Sequence, residues 1–366
     1  MALRCGIIGL PNVGKSTLFN ALTTSSVPSE NYPFCTIEPH IGVVSLPDQR
    51  LNRLKEVYSP ETVTAATVEF TDIAGLVKGA SKGEGLGNRF LGQIRQVEAL
   101  VHVVRCFEDK NITHVDNDVN PVRDAEIIET ELLLADLETI EKRLARAEKL
   151  AKTGDRIIKK EYGFLSRLSR HCSDGHRART LPRDKDENKI IKTLHLLSEK
   201  PILYIANVSE GAVSSKTRST HVQSLFDFAK KEGNEAVRIC GKIEQEISTL
   251  SHEEKQMFLK EYGLEEPGLN KVIHASFDLL GLQTYFTGGP KEVRAWTIKK
   301  GLTAPEAAGV IHTDFQRGFI KAEVFKYRDL DRLGSERTVR DKGLASIEGK
   351  EYIVKEGDCI YFRFNV

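Results

Sequence analysis

The spacing of apolar residues changes repeatedly along this 366-residue chain, and each change predicts a different element. Leu3 to Ile8 is a short apolar run that reads as a buried strand, and Thr17 to Leu22 follows as a short amphipathic helix. Thr67 to Gly75 alternates with period two. Ala99 to Cys106 is an apolar run interrupted at His102, and Pro201 to Asn207 and Ala236 to Cys240 read as two more buried strands. From Pro121 the period becomes helical: Leu133, Leu137, Ile140, Leu144, Ala147 and Ala151 step by four and three with charge on the other faces. A second helical stretch runs from Asp155 to Arg170, and a third carries Ile190, Ile191, Leu194 and Leu197. Leu250 to Leu280 is helical again. Beyond it, alternating stretches at Gln283–Phe286, Val293–Ile298, Ala322–Tyr327 and Ile360–Phe364 surround one helix from Ala304 to Ile311.

Strands that alternate with helices predict an α/β fold with a doubly wound parallel sheet and its ligand at the carboxyl ends of the strands. That domain is expected over residues 1–120 and 200–280, with 121–199 inserted as a helical hairpin or coiled-coil arm. Residues 281–366 form a separate α+β domain; no nucleophile constellation is visible in it, so binding is its expected role. A 40% apolar share supports real cores, and Lys plus Arg at 53 against Asp plus Glu at 52 removes any bulk attraction to nucleic acid. Charge is local instead. Between Lys142 and Arg183 thirteen Lys or Arg face four acids, with Tyr162, Phe164, His171 and His176 interleaved. This is either a grip for RNA phosphates and bases or the solvated face of a long hairpin. The six cysteines are scattered without a C-x-x-C pair, which fits a reducing cytoplasm better than a disulfide scaffold or zinc site. No run approaches the roughly 20 apolar residues of a membrane span, and no signal-like stretch precedes the first strand, so a cytoplasmic protein with no membrane partner is expected.

Chemistry enters directly after the first strand. Gly9-Leu10-Pro11-Asn12-Val13-Gly14-Lys15-Ser16-Thr17 fits G-x-x-x-x-G-K-[ST]. In such a loop the backbone N–H groups curl round a phosphate, the lysine reaches its outer oxygens, and the serine hydroxyl can ligate Mg²⁺. The candidate phosphate-binding residues are therefore Asn12, Val13, Gly14, Lys15, Ser16 and Thr17. In the loop-like stretch that follows, Thr36 is the candidate to close over Mg²⁺, an ordinary turn threonine being the alternative. Asp72-x-x-Gly75 ends the alternating strand; Asp72 would hold Mg²⁺ through water and the N–H of Gly75 would meet the terminal phosphate. Leu76 stands where Ras-type GTPases place a water-orienting glutamine. Asn207-Val208-Ser209-Glu210 occupies the base-reading position, with Val208 for the lysine and Glu210 for the aspartate of N-K-x-D, so guanine reading is in doubt. Cys240-Gly241-Lys242 would support the base from its other side. His114 lies in a polar loop and is either a surface residue or part of the reaction.

The motifs Gly9–Thr17, Asn31–Pro39, Asp72–Ala80 and Asn207–Glu210 together resemble the YchF family of Obg-like ATPases, over essentially the full chain. Residues 281–366 resemble their TGS domain, a ubiquitin-like β-grasp module. The resemblance implies a preference for ATP over GTP, Mg²⁺ as cofactor, and association with ribosomes or other translation components. It also implies that Asn12 can meet K⁺, that His114 serves catalysis by positioning water, and that Cys35 beside Thr36 is either a redox-sensitive or an inert side chain; Lys15, which stabilises charge on the phosphates, is the other catalytic candidate. A monomer is expected, since no exposed heptad requires a second copy. The rival readings are a GTPase of the same fold and a nucleotide-gated RNA or protein binder with incidental hydrolysis.

Overall fold

The computed structural model describes residues 3–24, 40–73, 86–109, 111–114, 118–152, 154–215 and 217–365. Its strands, in chain order, are β1 (Arg4–Ile8), β2 (Ile41–Ser45), β3 (Thr62–Thr64), β4 (Thr67–Asp72), β5 (Ala99–Arg105), β6 (Ile202–Asn207), β7 (Glu235–Ile239), β8 (Leu282–Thr287), β9 (Glu292–Lys299), β10 (Phe319–Lys326), β11 (Ser346–Glu348) and β12 (Asp358–Phe364). The chain divides into two compact units, Met1–Gly42 with Glu69–Val272, and Val43–Val68 with Ile273–Val366.

The first unit is built on a sheet of order β2-β4-β1-β5-β6-β7. β1 pairs in parallel with β4 and β5, and β5–β6 and β6–β7 are parallel as well. Every residue of β5 is buried, which is why its sequence is apolar throughout rather than alternating. The register sets Ile7 beside Asp72, Ile8 beside His102, and Arg105 beside Asn207. The strand ends carrying the first loop, Asp72 and Asn207 therefore share the carboxyl-terminal end of the sheet.

The inserted arm forms as its heptad spacing predicts. A 31-residue helix, Pro121–Ala151, starts with proline at its first turn and Asn120 as cap, the side chain accepting from the Arg123 N–H. It turns back into the helix Arg156–Ser173, capped by Asp155. Leu133, Ile140 and Ala147 meet Phe164, Leu165, Leu168 and Cys172 in a buried seam, with Leu137 and Leu144 packed against it. Tyr162 packs on the same seam and is partly buried, and Phe164 is only 2% exposed, so Phe164 is not available to stack on bases.

The second unit holds a mixed sheet of order β11-β10-β12-β8-β9-β3. β8–β9 and β10–β12 are antiparallel, while β12–β8 is parallel. The helix Ala304–Ile311 covers it, with Ala304, Ala307 and Ala308 buried against Tyr285, Val324 and Phe362. Residues 43–68 count with this unit and not with the nucleotide domain to which 1–120 was assigned, and its second segment begins at Ile273 rather than 281. The cause is strand addition: three-residue β3 pairs in parallel with β9, Thr62 opposite Glu292. So short a strand has no readable period.

Candidate nucleotide site

β1 delivers the phosphate loop, and the helix Lys15–Thr24 starts immediately behind it. Gly14 has φ 99°, and a Cβ there would stand 2.4 Å from Asn207 Nδ2, so both backbone and space require glycine. Asn12 also lies in the left-handed region, at φ 61°. The loop, helix start and opposite strand ends enclose a cavity of about 510 Å³, into which Asn12, Gly14, Lys15, Ser16 and Thr17 open. Val13 differs: its side chain is buried and its carbonyl accepts a 2.9 Å hydrogen bond from Asn207 Nδ2. Lys15 is buried, and its Nζ donates to the Leu10 carbonyl at 2.7 Å. Burial lowers the Lys15 pKa, with the charge of Asp72 pulling the other way. A buried ammonium held by one neutral carbonyl is a strong site for phosphate oxygens, and the dipole at the helix start acts in the same direction.

Opposite the phosphate loop, Asn207, Val208, Ser209, Glu210, Cys240, Gly241 and Lys242 line the cavity. Asn207 works mainly as a tie. Its Nδ2 binds Val13 and its Oδ1 accepts from the Gly241 N–H at 2.9 Å, so it fixes the phosphate loop to the loop after β7. Val208 is buried, its N–H bonded to the Ile239 carbonyl. The Glu210 carboxylate accepts from Lys242 Nζ at 2.5 Å.

A third wall, Phe107, Glu108, Asp109 and Ile112, comes from the loop after β5. Sequence reading passed over the residue that shapes it. Arg105 ends β5 at 2% exposure and donates to the carbonyls of Phe107 (3.0 Å), Asp109 (3.1 Å) and Ile112 (3.0 Å). Three carbonyls on one guanidinium wrap the loop around it. A charged residue inside an apolar strand was the available signal.

Ser16 and Asp72 present a hydroxyl and a carboxylate, the hard oxygen donors that Mg²⁺ takes. Asp72 ends β4 and is electrostatically coupled to Lys15; burial raises its pKa against the opposing charges of Lys15 and His40. The donor types fit the ion; Ser16 lines the cavity, whereas Asp72 is not among its lining residues and is linked to it through the charge of Lys15. Thr36, Gly75, Leu76 and Cys35 lie outside the described residues. His114 does not line the cavity. It is 7% exposed, and its Nε2 lies 2.8 Å from the Asp124 carboxylate. Asn12 Nδ2 reaches the neighbouring Thr113 carbonyl at 3.3 Å.

A glycine-lysine-serine loop between the first parallel strand and its helix, facing a tied asparagine across a cavity, defines a P-loop nucleoside triphosphatase. Residues 4–136 match the family model MMR_HSR1, described as 50S ribosome-binding GTPase, and residues 282–365 match YchF-GTPase_C, described as a protein of unknown function (DUF933). The chain is 54% identical over 366 residues to the Ribosome-binding ATPase YchF of Bacillus subtilis and 50% identical to that of Escherichia coli O157:H7, covering 100% of each. The solved YchF GTPase of Schizosaccharomyces pombe is similar at 37% identity with a TM-score of 0.89, over 99% of this chain and 97% of that one. The chain belongs to the YchF family. Among the described residues, no helix is long and apolar enough to cross a membrane.

Proposed function

We propose that this chain binds and hydrolyses ATP in preference to GTP, with Mg²⁺, and acts as a nucleotide-dependent switch on the ribosome in the cytoplasm. The observation that carries the base preference is the 2.5 Å contact between Lys242 Nζ and Glu210 Oε1. An acid that reads guanine accepts from N1–H and the 2-amino group with both oxygens. Here Oε1 already accepts from Lys242, which competes with a guanine donor for that oxygen and draws the carboxylate away from bidentate reading. Adenine offers one donor and one acceptor on that edge, which a neighbouring carboxylate and ammonium can match. The relatives' description as ribosome-binding ATPases supports both the nucleotide and the partner.

Lys15 leaves the Leu10 carbonyl for the phosphates and stabilises charge as the terminal bond breaks. Ser16 and Asp72, with Thr36, would hold Mg²⁺, which supplies charge neutralisation between the outer phosphates. Asn12 uses Nδ2 on Thr113 and keeps Oδ1 as the group that can meet K⁺. His114 positions the attacking water after parting from Asp124. Phe164 is buried and Tyr162 packs on the arm's seam, which reduces the stacking surface of the RNA-binding reading to His171 and the exposed His176, and the protein works as a monomer. The test is ATP hydrolysis by the purified chain with Mg²⁺. Turnover that is absent in the wild type, or that persists in Lys15→Ala, overturns the proposal.

A further inference from the structure

The arm separates its cations into two groups. Lys142 is held by Glu138, Arg143 by Glu161, Arg167 by Glu187, Arg177 and Arg179 by Glu129, and Arg183 by Glu199. These bridges tie the arm together and to its root, so their charge is spent internally. Among the described residues, the remaining seven of the thirteen have no carboxylate partner. Six of those seven, Arg146, Lys149, Lys152, Arg156, Lys159 and Lys160, are exposed and flank the turn between the two arm helices. At about 1.5 Å per residue they lie within about 8 Å of the turn along each helix. The acids nearby are Glu148, Asp155 and, facing Lys160, Asp186; Asp155 is engaged as a cap, accepting from the Ile157 N–H at 2.7 Å, and Asp186 is bridged to Lys189.

Beside the same turn stand two exposed aliphatic side chains, one on each arm helix. Ile157 is 78% exposed, the highest value among the large apolar side chains described, and Leu150 is 53% exposed. A single exposed aliphatic residue is ordinary. Two of them, one on each helix beside the turn and among exposed cations, match an interface with an apolar centre and a charged rim. RNA would engage the cations but has no counterpart for the aliphatic pair. No aromatic residue on the turn offers a base-stacking surface either.

We infer that the turn of the arm docks on an acidic protein segment, with Ile157 entering an apolar pocket of the partner and the six cations meeting its carboxylates. Resting on the ribosomal reading above, that segment belongs to a ribosomal protein. The test uses the full chain and purified 70S ribosomes, with cosedimentation at several salt concentrations and a benzophenone photocrosslinker replacing Ile157. Crosslinking to a ribosomal protein is expected. Ile157→Asp is expected to weaken binding at least tenfold, and Lys149→Gln with Lys159→Gln to flatten its salt dependence, all with basal ATP turnover unchanged and Arg170→Gln as a neutral control. Crosslinking to ribosomal RNA, or wild-type binding by Ile157→Asp, overturns the inference while leaving the ribosomal reading intact. A wild-type chain that does not sediment with ribosomes removes the ribosomal reading itself, and this inference with it.

Discussion

His114 Nε2 stands 2.8 Å from the carboxylate of Asp124, and both side chains are buried. Asp124 belongs to the first turn of the 31-residue arm helix, while Asn12 of the phosphate loop holds the carbonyl of Thr113 next door. One histidine therefore sits between the nucleotide loop and the base of the arm. If His114 acts on water, it must leave this pair. Asp124→Asn is expected to raise single-turnover ATP hydrolysis several-fold, and His114→Ala to lower it about 10²-fold, the lower range for a lost general acid–base group. Equilibrium ATP binding should change little in either variant. Unchanged turnover in His114→Ala would make the residue a packing element only.

Arg105 shapes a wall of the cavity through three backbone carbonyls. Lysine keeps the charge but lacks the planar fork, so it cannot hold Phe107, Asp109 and Ile112 together. Arg105→Lys is expected to weaken ATP binding about tenfold, which is roughly 1.4 kcal/mol. Titration with a fluorescent ATP analogue, read beside a thermal melt, separates loss of the wall from loss of the fold.

At the arm's root, Glu129 is 1% exposed and accepts from Arg177, Arg179 and the Tyr204 hydroxyl. Burial raises its pKa, but the two guanidiniums and the tyrosine outweigh burial and leave it below the usual glutamate value. A carboxyl depressed in the folded state gives its full stabilisation above its unfolded pKa, near 4.3, and loses it as pH falls through the lower folded value. Urea midpoints should therefore drop more steeply below about pH 4.3 in the wild type than in Glu129→Gln. At neutral pH that substitution is expected to cost about 3 kcal/mol, the low end for breaking a buried pair, because two largely enclosed guanidiniums stay beside a neutral amide.

Lys242 and Glu210 are partly exposed, so their ion pair contributes modestly. Lys242→Gln releases the carboxylate and should narrow the ATP-to-GTP affinity ratio by a factor of a few, mainly through tighter GTP binding. An unchanged ratio would show that Glu210 reads neither base.

The local parts of this molecule were legible in the sequence, and the long-range ties were not. Gly9 to Thr17 declares its loop because the spacing of glycines, lysine and hydroxyl is itself the geometry. The arm declares its seam through Leu133 to Ala147. Asn207 reads as a base contact by position, yet its amide joins Val13 to Gly241, residues far away in sequence that only the folded sheet brings together. Arg105 was hidden by the apolar run around it. The basic stretch from Lys142 to Arg183 left a grip and a solvated face both open, because the partners Glu129, Glu187 and Glu199 that neutralise its root all lie outside that window. β3 was too short to show a period, and so the attachment of residues 43–68 to the second unit went unread.

Competition between ATP and GTP for a fluorescent nucleotide bound to the purified chain, with Mg²⁺ present, tests ATP selectivity most directly. Displacement by ATP at clearly lower concentration than by GTP is the expected result, with both lost in Lys15→Ala. Tighter binding of GTP would contradict the role given to Glu210 and Lys242 and make the protein a GTPase of the same fold.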